Sequence, residues 1–167
     1  MVEIHPWASR VDHIERPDFL IFDLDPGEGI AWPFVVETAL RIRDLLAEEG
    51  LASWPKMTGG KGLHIMVPIE PVNTHIAIRR YAEDIAERVT AMDRKHYTLT
   101  AGAPHRIGRL FIDFLRNGRG STAVGCYSPR VRPGLPVAIP VTWRDVENGQ
   151  TSDTATMAGI GKKKRTT

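Results

Sequence analysis

The chain has 167 residues, 42% of them hydrophobic and 25% charged, and a formal net charge of +2. That suits one domain with a real core, and it excludes a low-complexity chain or a repeat array. No signal peptide opens the sequence and no apolar run nears membrane-spanning length, so a soluble, cytoplasmic protein is expected, with no membrane partner.

The elements are expected in the following order. Residues 1–18 form a lead-in, and Phe19–Asp25 is the first strong strand. It is apolar and ends in Asp23 and Asp25, which lie two apart and therefore share a face. Two like charges at the end of a greasy strand are costly unless a proton or cation sits between them. Two readings stay open at this point: a pair of divalent metals, or an acidic turn made by Asp25-Pro-Gly. After the turn Pro26–Ile30, Pro33 opens a helix whose stripe is Phe34, Val35, Thr38, Ala39, Ile42, Leu45 and Leu46, closed by Gly50. A short strand around Ser53–Met57 leads through Thr58-Gly-Gly-Lys-Gly62 into the strand Leu63–Val67, stopped by Pro68. A second helix spans about Thr74 to Ala91, with Ile78, Tyr81, Ile85 and Val89 on one stripe and Asn73 or Thr74 as cap. Leu110–Leu115 is the fourth strand, and Thr122–Tyr127 is a further candidate. From about Arg144 the chain turns polar and ends in the basic run Lys162–Arg165, expected as a flexible tail.

Strand, helix, strand, strand, helix, strand is the split βαβ, ferredoxin-like order, an α+β fold with both helices on one face of the sheet. The expected domain is 19–143. In that topology the first and third strands lie side by side and the fourth flanks the first. Leu20, Phe22, Leu24, Leu63, Ile65, Val67, Leu110, Ile112 and Phe114 then share the helix-covered face. The opposite face carries Asp23, Asp25, His64 and Asp113. Three carboxylates from strands distant in sequence converge on one open face, and this agreement favours metal binding by Asp23, Asp25 and Asp113. In two-metal sites about 4 Å across, two carboxylates bridge the ions and a third completes one of them. The competing reading pairs Asp113 with Arg106, Arg109 or Arg116.

Six arginines and one acid fall between Pro104 and Arg132, a field that suits phosphates. The Gly-Gly-Lys-Gly loop has a phosphate-cradle composition, with Lys61 as a point charge, but its spacing is not that of a P-loop; a plain hairpin turn is the alternative. His64 would lie beside the carboxylates, positioned to contact a phosphate or to donate a proton. Arg130 or Arg132 could reach a triphosphate tail. The single cysteine, Cys126, forms no internal disulfide, and no Cys/His cluster suggests zinc.

Several collinear stretches together resemble the polymerase domain of bacterial ligase D, of the archaeo-eukaryotic primase superfamily. They are Glu3-Ile-His-Pro-Trp7, Arg16-Pro-Asp18, Phe22-Asp-Leu-Asp-Pro-Gly-Glu-Gly29, Thr58-Gly-Gly-Lys-Gly-Leu-His64, Phe111-Ile-Asp-Phe-Leu-Arg-Asn-Gly-Arg-Gly120 and Tyr127-Ser-Pro-Arg130. The resemblance implies template-directed nucleotidyl transfer to a DNA primer during bacterial non-homologous end joining, with gaps and ends as substrates. It implies two Mn2+ or Mg2+ ions on Asp23, Asp25 and Asp113, and an incoming NTP or dNTP, with ribonucleotides and manganese preferred. Thr58, Gly59, Lys61, His64 and Arg130 fall on positions that receive the triphosphate. It further implies a nucleoid-associated location, with the ligase D ligase domain and Ku as partners. Thr58 stands where the family commonly has serine, and the chain corresponds to the catalytic half, without an N-terminal module that grips DNA. Two other functions stay open: a nucleotide- or DNA-binding remnant that cannot extend a primer, and a two-metal phosphoesterase.

Overall fold

A computed structural model describes residues 3–157 of the chain. Its centre is β1 (Phe19–Pro26), which pairs antiparallel with β3 (Leu63–Pro68) on one side and with β5 (Leu110–Asp113) on the other. β2 (Trp54–Met57) continues the sheet beyond β3, giving the expected order of the four main strands, β5-β1-β3-β2. Two short strands that the sequence reading did not include extend the edges: β4 (Tyr97–Thr98), parallel to β5, and β6 (Ile139–Pro140), beside β2. Each has two residues, too few to show an alternation.

α1 (Trp32–Glu48) and α2 (His75–Met92) cover one face of the sheet. Pro33 stands in the first turn of α1, and Val35, Thr38, Ala39, Ile42 and Leu46 form its buried stripe. Thr74 caps α2 by accepting from the Ala77 N–H at 3.3 Å, and Ile78, Ala82, Ile85, Ala86 and Val89 face the sheet. All nine strand residues expected on the helix-covered face lie in the main core. Tyr81 is the exception in the expected α2 stripe; it reaches the rim and donates its hydroxyl to Glu49 Oε2 at 2.6 Å.

β5 stops at Asp113, two residues earlier than expected. Phe114 adopts helical angles and starts the 3-10 turn Leu115–Asn117, with Asp113 Oδ1 accepting from the Leu115 N–H at 2.8 Å. The Asn117 side chain then substitutes for the missing strand. Its Oδ1 accepts from Ile21 N and its Nδ2 donates to Ile21 O, both at 2.8 Å, so the edge of β1 stays satisfied.

Residues 122–127 do not form the further candidate strand. Ala123 and Gly125 bond to the lead-in, through Pro6 O and Ile4 O, and Tyr127 takes a φ of 64°, which no extended strand accommodates. From Arg144 to Met157 the chain is bonded to the fold rather than forming the expected tail. α3 (Trp143–Glu147) carries a Thr142–Asp145 capping box, and Trp143 Nε1 donates to Ser53 O at 2.8 Å. Backbone bonds from Val137 N to Ala155 O and from Met157 N to Leu135 O hold the following residues against the 135–137 segment. Lys162–Arg165 lies outside the described residues.

Phe22 is fully buried at the middle of β1. Phe22→Ala is expected to cost about 3–5 kcal/mol, read from denaturant unfolding. Val11→Ala, at a position 92% exposed, should stay within about 0.5 kcal/mol of wild type.

Candidate active site

The register of the sheet aligns four side chains into one row across its open face. Asp113 is opposite Asp23, Asp23 is opposite His64, and His64 is opposite Lys56. Directly opposed residues point to the same side of a sheet, so the row is a consequence of the backbone alone. Asp25 lies two residues along β1 on the same face.

Each carboxylate meets a cation. His64 Nε2 lies 3.4 Å from Asp23 Oδ1, and Arg116 Nε is 3.1 Å from both Asp23 Oδ2 and Asp113 Oδ2. Arg106 pairs with Asp25 and stacks over the Phe111 ring. Burial alone would raise the Asp23 carboxyl, but His64 and Arg116 outweigh it and hold the group down at about 2. Asp25 and Asp113 go the other way. Burial raises both, Asp23's charge adds to it, and Arg106 or Arg116 offsets only part. Three carboxylates share a face, and only Asp23 is held below the usual carboxylate range. They are oxygen donors of the kind that hold Mg2+ or Mn2+. No three His, Cys, Asp or Glu side chains among the described residues form a group that could hold a metal ion in this arrangement.

Beside the carboxylates is a polar cleft of about 200 Å³. Asp23, Asp25, Thr58, Lys61, His64 and Arg130 line it, as do Arg116 and Arg132. Asp113 and Gly59 are not in its lining. Asp113 sits at the end of the row against Arg116, and Gly59 packs behind the loop. Gly59 has a φ of +70°, and a Cβ there would be 2.9 Å from Arg130 Cγ and 3.0 Å from the Val137 carbonyl carbon. Arg130 Nη1 donates to Thr58 O at 3.0 Å, so this arginine also braces the loop. The loop's first N–H groups point inward: those of Thr58 and Gly59 bond to Ser152, and that of Gly60 to Thr58 Oγ1. An anion here would meet Lys61, which makes no ion pair among the described residues, rather than those N–H groups. His64 is 97% buried in the row, and its Nδ1 has no hydrogen-bond partner among the described residues.

Two residues were not singled out from sequence. Lys56 is buried in the row, its ammonium pushed below the usual lysine range by burial and bonded to Val124 O. A signal for it existed, because a hairpin loop at 58–62 forces 56 opposite 64. Ser152 sits in a polar stretch with no pattern to mark it.

A family model for the LigD primase-polymerase domain matches residues 1–166. The chain belongs to the LigD primase-polymerase domain family. The multifunctional non-homologous end joining protein LigD of Pseudomonas aeruginosa is 34% identical over 149 residues, covering 89% of this chain and 18% of that protein. The corresponding DNA repair protein LigD of Mycobacterium tuberculosis is 36% identical over 133 residues, covering 77% of this chain and 17% of that protein. The chain thus spans less than a fifth of the length of these curated relatives. Among solved structures, the polymerase domain of M. tuberculosis ligase D in complex with DNA superposes with a TM-score of 0.82 at 32% identity. That match covers 90% of this chain and 53% of the other. The family resemblance and the α+β topology expected from sequence therefore hold.

Two outcomes check this LigD-family site geometry. Gly59→Ala forces a left-handed conformation on a Cβ-bearing residue and should cost about 1–2 kcal/mol of unfolding free energy. Glu3 tethers the Arg130 segment, accepting from Val131 N at 2.9 Å with Arg130 Nε 3.3 Å away. The Val131 N–H, then His5, lower its carboxyl from 4.5 to about 2, against a smaller opposing effect of burial. A depressed acid stabilises the fold above its unfolded value. The stability difference between wild type and Glu3→Gln should be complete above pH 4.5 and fade as pH falls toward 2, as followed by denaturant titration at each pH.

Proposed function

We propose that this domain is a two-metal nucleotidyltransferase that adds nucleotides to a DNA primer 3′-hydroxyl, filling gaps and ends in bacterial non-homologous end joining. The observation that carries the reading is the cross-strand pair Asp113–Asp23, with Asp25 beside it, at the edge of a cleft lined by Lys61, His64 and Arg130. One side offers oxygen donors for cations, and the other offers cations for a polyphosphate.

In the reaction the 3′-oxygen bonds to the α-phosphorus of an NTP or dNTP, the bond to the pyrophosphate oxygen breaks in line, and the hydroxyl proton passes to solvent water. Asp23, Asp25 and Asp113 would hold two Mn2+ or Mg2+ ions, which lower the hydroxyl's pKa and offset charge on the α-phosphate. Lys61 and Arg130, which line the cleft, would counter charge on the departing pyrophosphate, and Arg132 also lines it. His64 Nε2 lies 3.4 Å from Asp23 Oδ1, and a phosphate oxygen in the cleft would give its orphaned Nδ1 a partner. Thr58 and Gly59 act by shape: they turn the loop so that Lys61 faces the cleft. Gapped or broken DNA is the proposed partner, consistent with the DNA complex of the M. tuberculosis domain. The ligase domain of ligase D and Ku are proposed as further partners, in a nucleoid-associated setting in the cytoplasm. No helix among the described residues is long and apolar enough to cross a membrane.

A second reading draws on the arginines. Arg106 and Arg116 engage all three carboxylates, and a domain that kept them so would bind nucleotide and DNA without extending a primer.

The test is incorporation on a gapped duplex bearing a 5′-phosphate, in manganese. Wild type should extend the primer, while Asp23→Ala and Asp113→Ala lose extension by at least about a hundredfold. Equal extension by either variant would remove the site assignment. Nucleotide binding without extension by wild type would favour the second reading.

A further inference from the structure

The glycine loop that carries Lys61 is held from behind by a residue ninety positions later. Ser152 is 97% buried. Its Oγ accepts from the Thr58 N–H at 3.0 Å and donates to Gly62 O at 2.6 Å. Thr58 Oγ1 lies 3.2 Å from Ser152 Oγ, and Ser152 O accepts from the Gly59 N–H at 3.1 Å. One residue thus engages the first, second and last residues of Thr58-Gly-Gly-Lys-Gly62. Thr58 Oγ1 adds a bond to Gly62 O at 2.9 Å that closes the loop on itself.

Ser152 is itself fixed from both sides. Trp32 Nε1 donates to Gln150 O at 3.1 Å, and Ala155 O accepts from Val137 N at 2.8 Å. On the opposite side of the loop Arg130 Nη1 holds Thr58 O. The loop is therefore clamped between Arg130 and Ser152, and its one cation, Lys61, is aimed by that clamp. A hairpin with two adjacent glycines has a broad range of accessible conformations unless its backbone groups are paired elsewhere.

We infer that Ser152 is a positioning residue for the incoming triphosphate: it fixes the loop conformation that presents Lys61 to the phosphates, so the stretch after α3 belongs to the nucleotide site. The inference rests on the triphosphate reading of the cleft given above. Ser152 touches no substrate, and its effect should fall on the phosphate tail alone. Ligands that lack the β- and γ-phosphates should not register its loss, which separates positioning from a general effect on folding.

The experiment is equilibrium binding of ATP and of AMP, in manganese, to wild type, Ser152→Ala and Lys61→Ala. Ser152→Ala is expected to bind ATP about tenfold more weakly, the effect of losing the buried hydroxyl's bonds to Thr58 N and Gly62 O, with AMP binding unchanged. Lys61→Ala should weaken ATP similarly. If Lys61→Ala weakens ATP while Ser152→Ala leaves the ATP-to-AMP ratio at the wild-type value, Ser152 is only structural and the inference falls alone. If wild type does not distinguish ATP from AMP and Lys61→Ala changes nothing, the triphosphate reading falls first and takes the inference with it. A measurement on wild type stands apart from any folding defect in the variant. Amide hydrogen exchange of Thr58 and Gly59 should be slow without nucleotide; fast exchange at both would overturn the clamp.

Discussion

Everything at this site depends on the register in which β1 lies between β3 and β5. Side chains alternate along a strand, so a slip of one residue would send Asp23 and Asp25 into the helix-covered core and bring Phe22 and Leu24 to the open face. β5 has only four residues and could not hold its register alone. Three features outside the ladder pin it. The Asn117 amide fills both backbone valences of Ile21, just past the end of β5. Gly27 admits the Arg106 carbonyl, whose oxygen would be 1.7 Å from any Cβ there. Gly62 admits Leu24 O, 2.7 Å from the corresponding point, where the loop enters β3. Glycine serves here by taking up no room, and the carboxylates come together because of it.

The electrostatics follow from that alignment. With Asp23 opposite Asp113, and Asp25 two residues away, ionising all three carboxylates needs compensation. The arginine-rich stretch supplies much of it. Arg106 meets Asp25 and Arg116 bridges Asp23 and Asp113, while Arg119 pairs with Glu15 and Arg130 with Glu3. Read from sequence, the stretch is a field for phosphates. In the fold, four of its six arginines face carboxylates, so the net field in the cleft is smaller than the local composition suggests, and Lys61 and Arg132 matter more. On the two-metal reading, cations at Asp23, Asp25 and Asp113 would compete with Arg106 and Arg116 for the same carboxylates.

Much of this was legible before any coordinates. Alternation along Phe19–Asp25, Leu63–Val67 and Leu110–Leu115, combined with one topology, placed nine apolar residues inside and three carboxylates outside, and that is how the sheet is built. What escaped had physical reasons. β4 and β6 are two residues long and owe their form to tertiary pairing. Residues 122–126 contain the alternation of a strand, but Gly125 and the left-handed Tyr127 turn them toward the lead-in instead. Lys56 was recoverable by counting back across the hairpin from His64, because register is arithmetic once a loop is assigned. Ser152 was not. Its hydroxyl acquires a role only when the chain after α3 folds back on the loop, and no local pattern encodes a contact across ninety positions.

That last contact changes what the Gly-Gly-Lys-Gly motif means. Taken alone, the motif invites the view that its N–H groups receive an anion directly. Two of those N–H groups are already used, that of Gly59 by Ser152 O and that of Gly60 by Thr58 Oγ1, and the preceding Thr58 N–H goes to Ser152 Oγ. The loop is thus a rigid pedestal for one lysine rather than an open nest. Glu3, through Arg130, reaches the same pedestal from the lead-in, so residues near both ends of the described chain bear on it. On the proposed reading, nucleotide affinity would therefore be a tertiary property. A short peptide carrying residues 54–68 would keep the motif and lose the site, whereas substitutions outside the cleft at positions that brace the loop would lower affinity without touching the nucleotide.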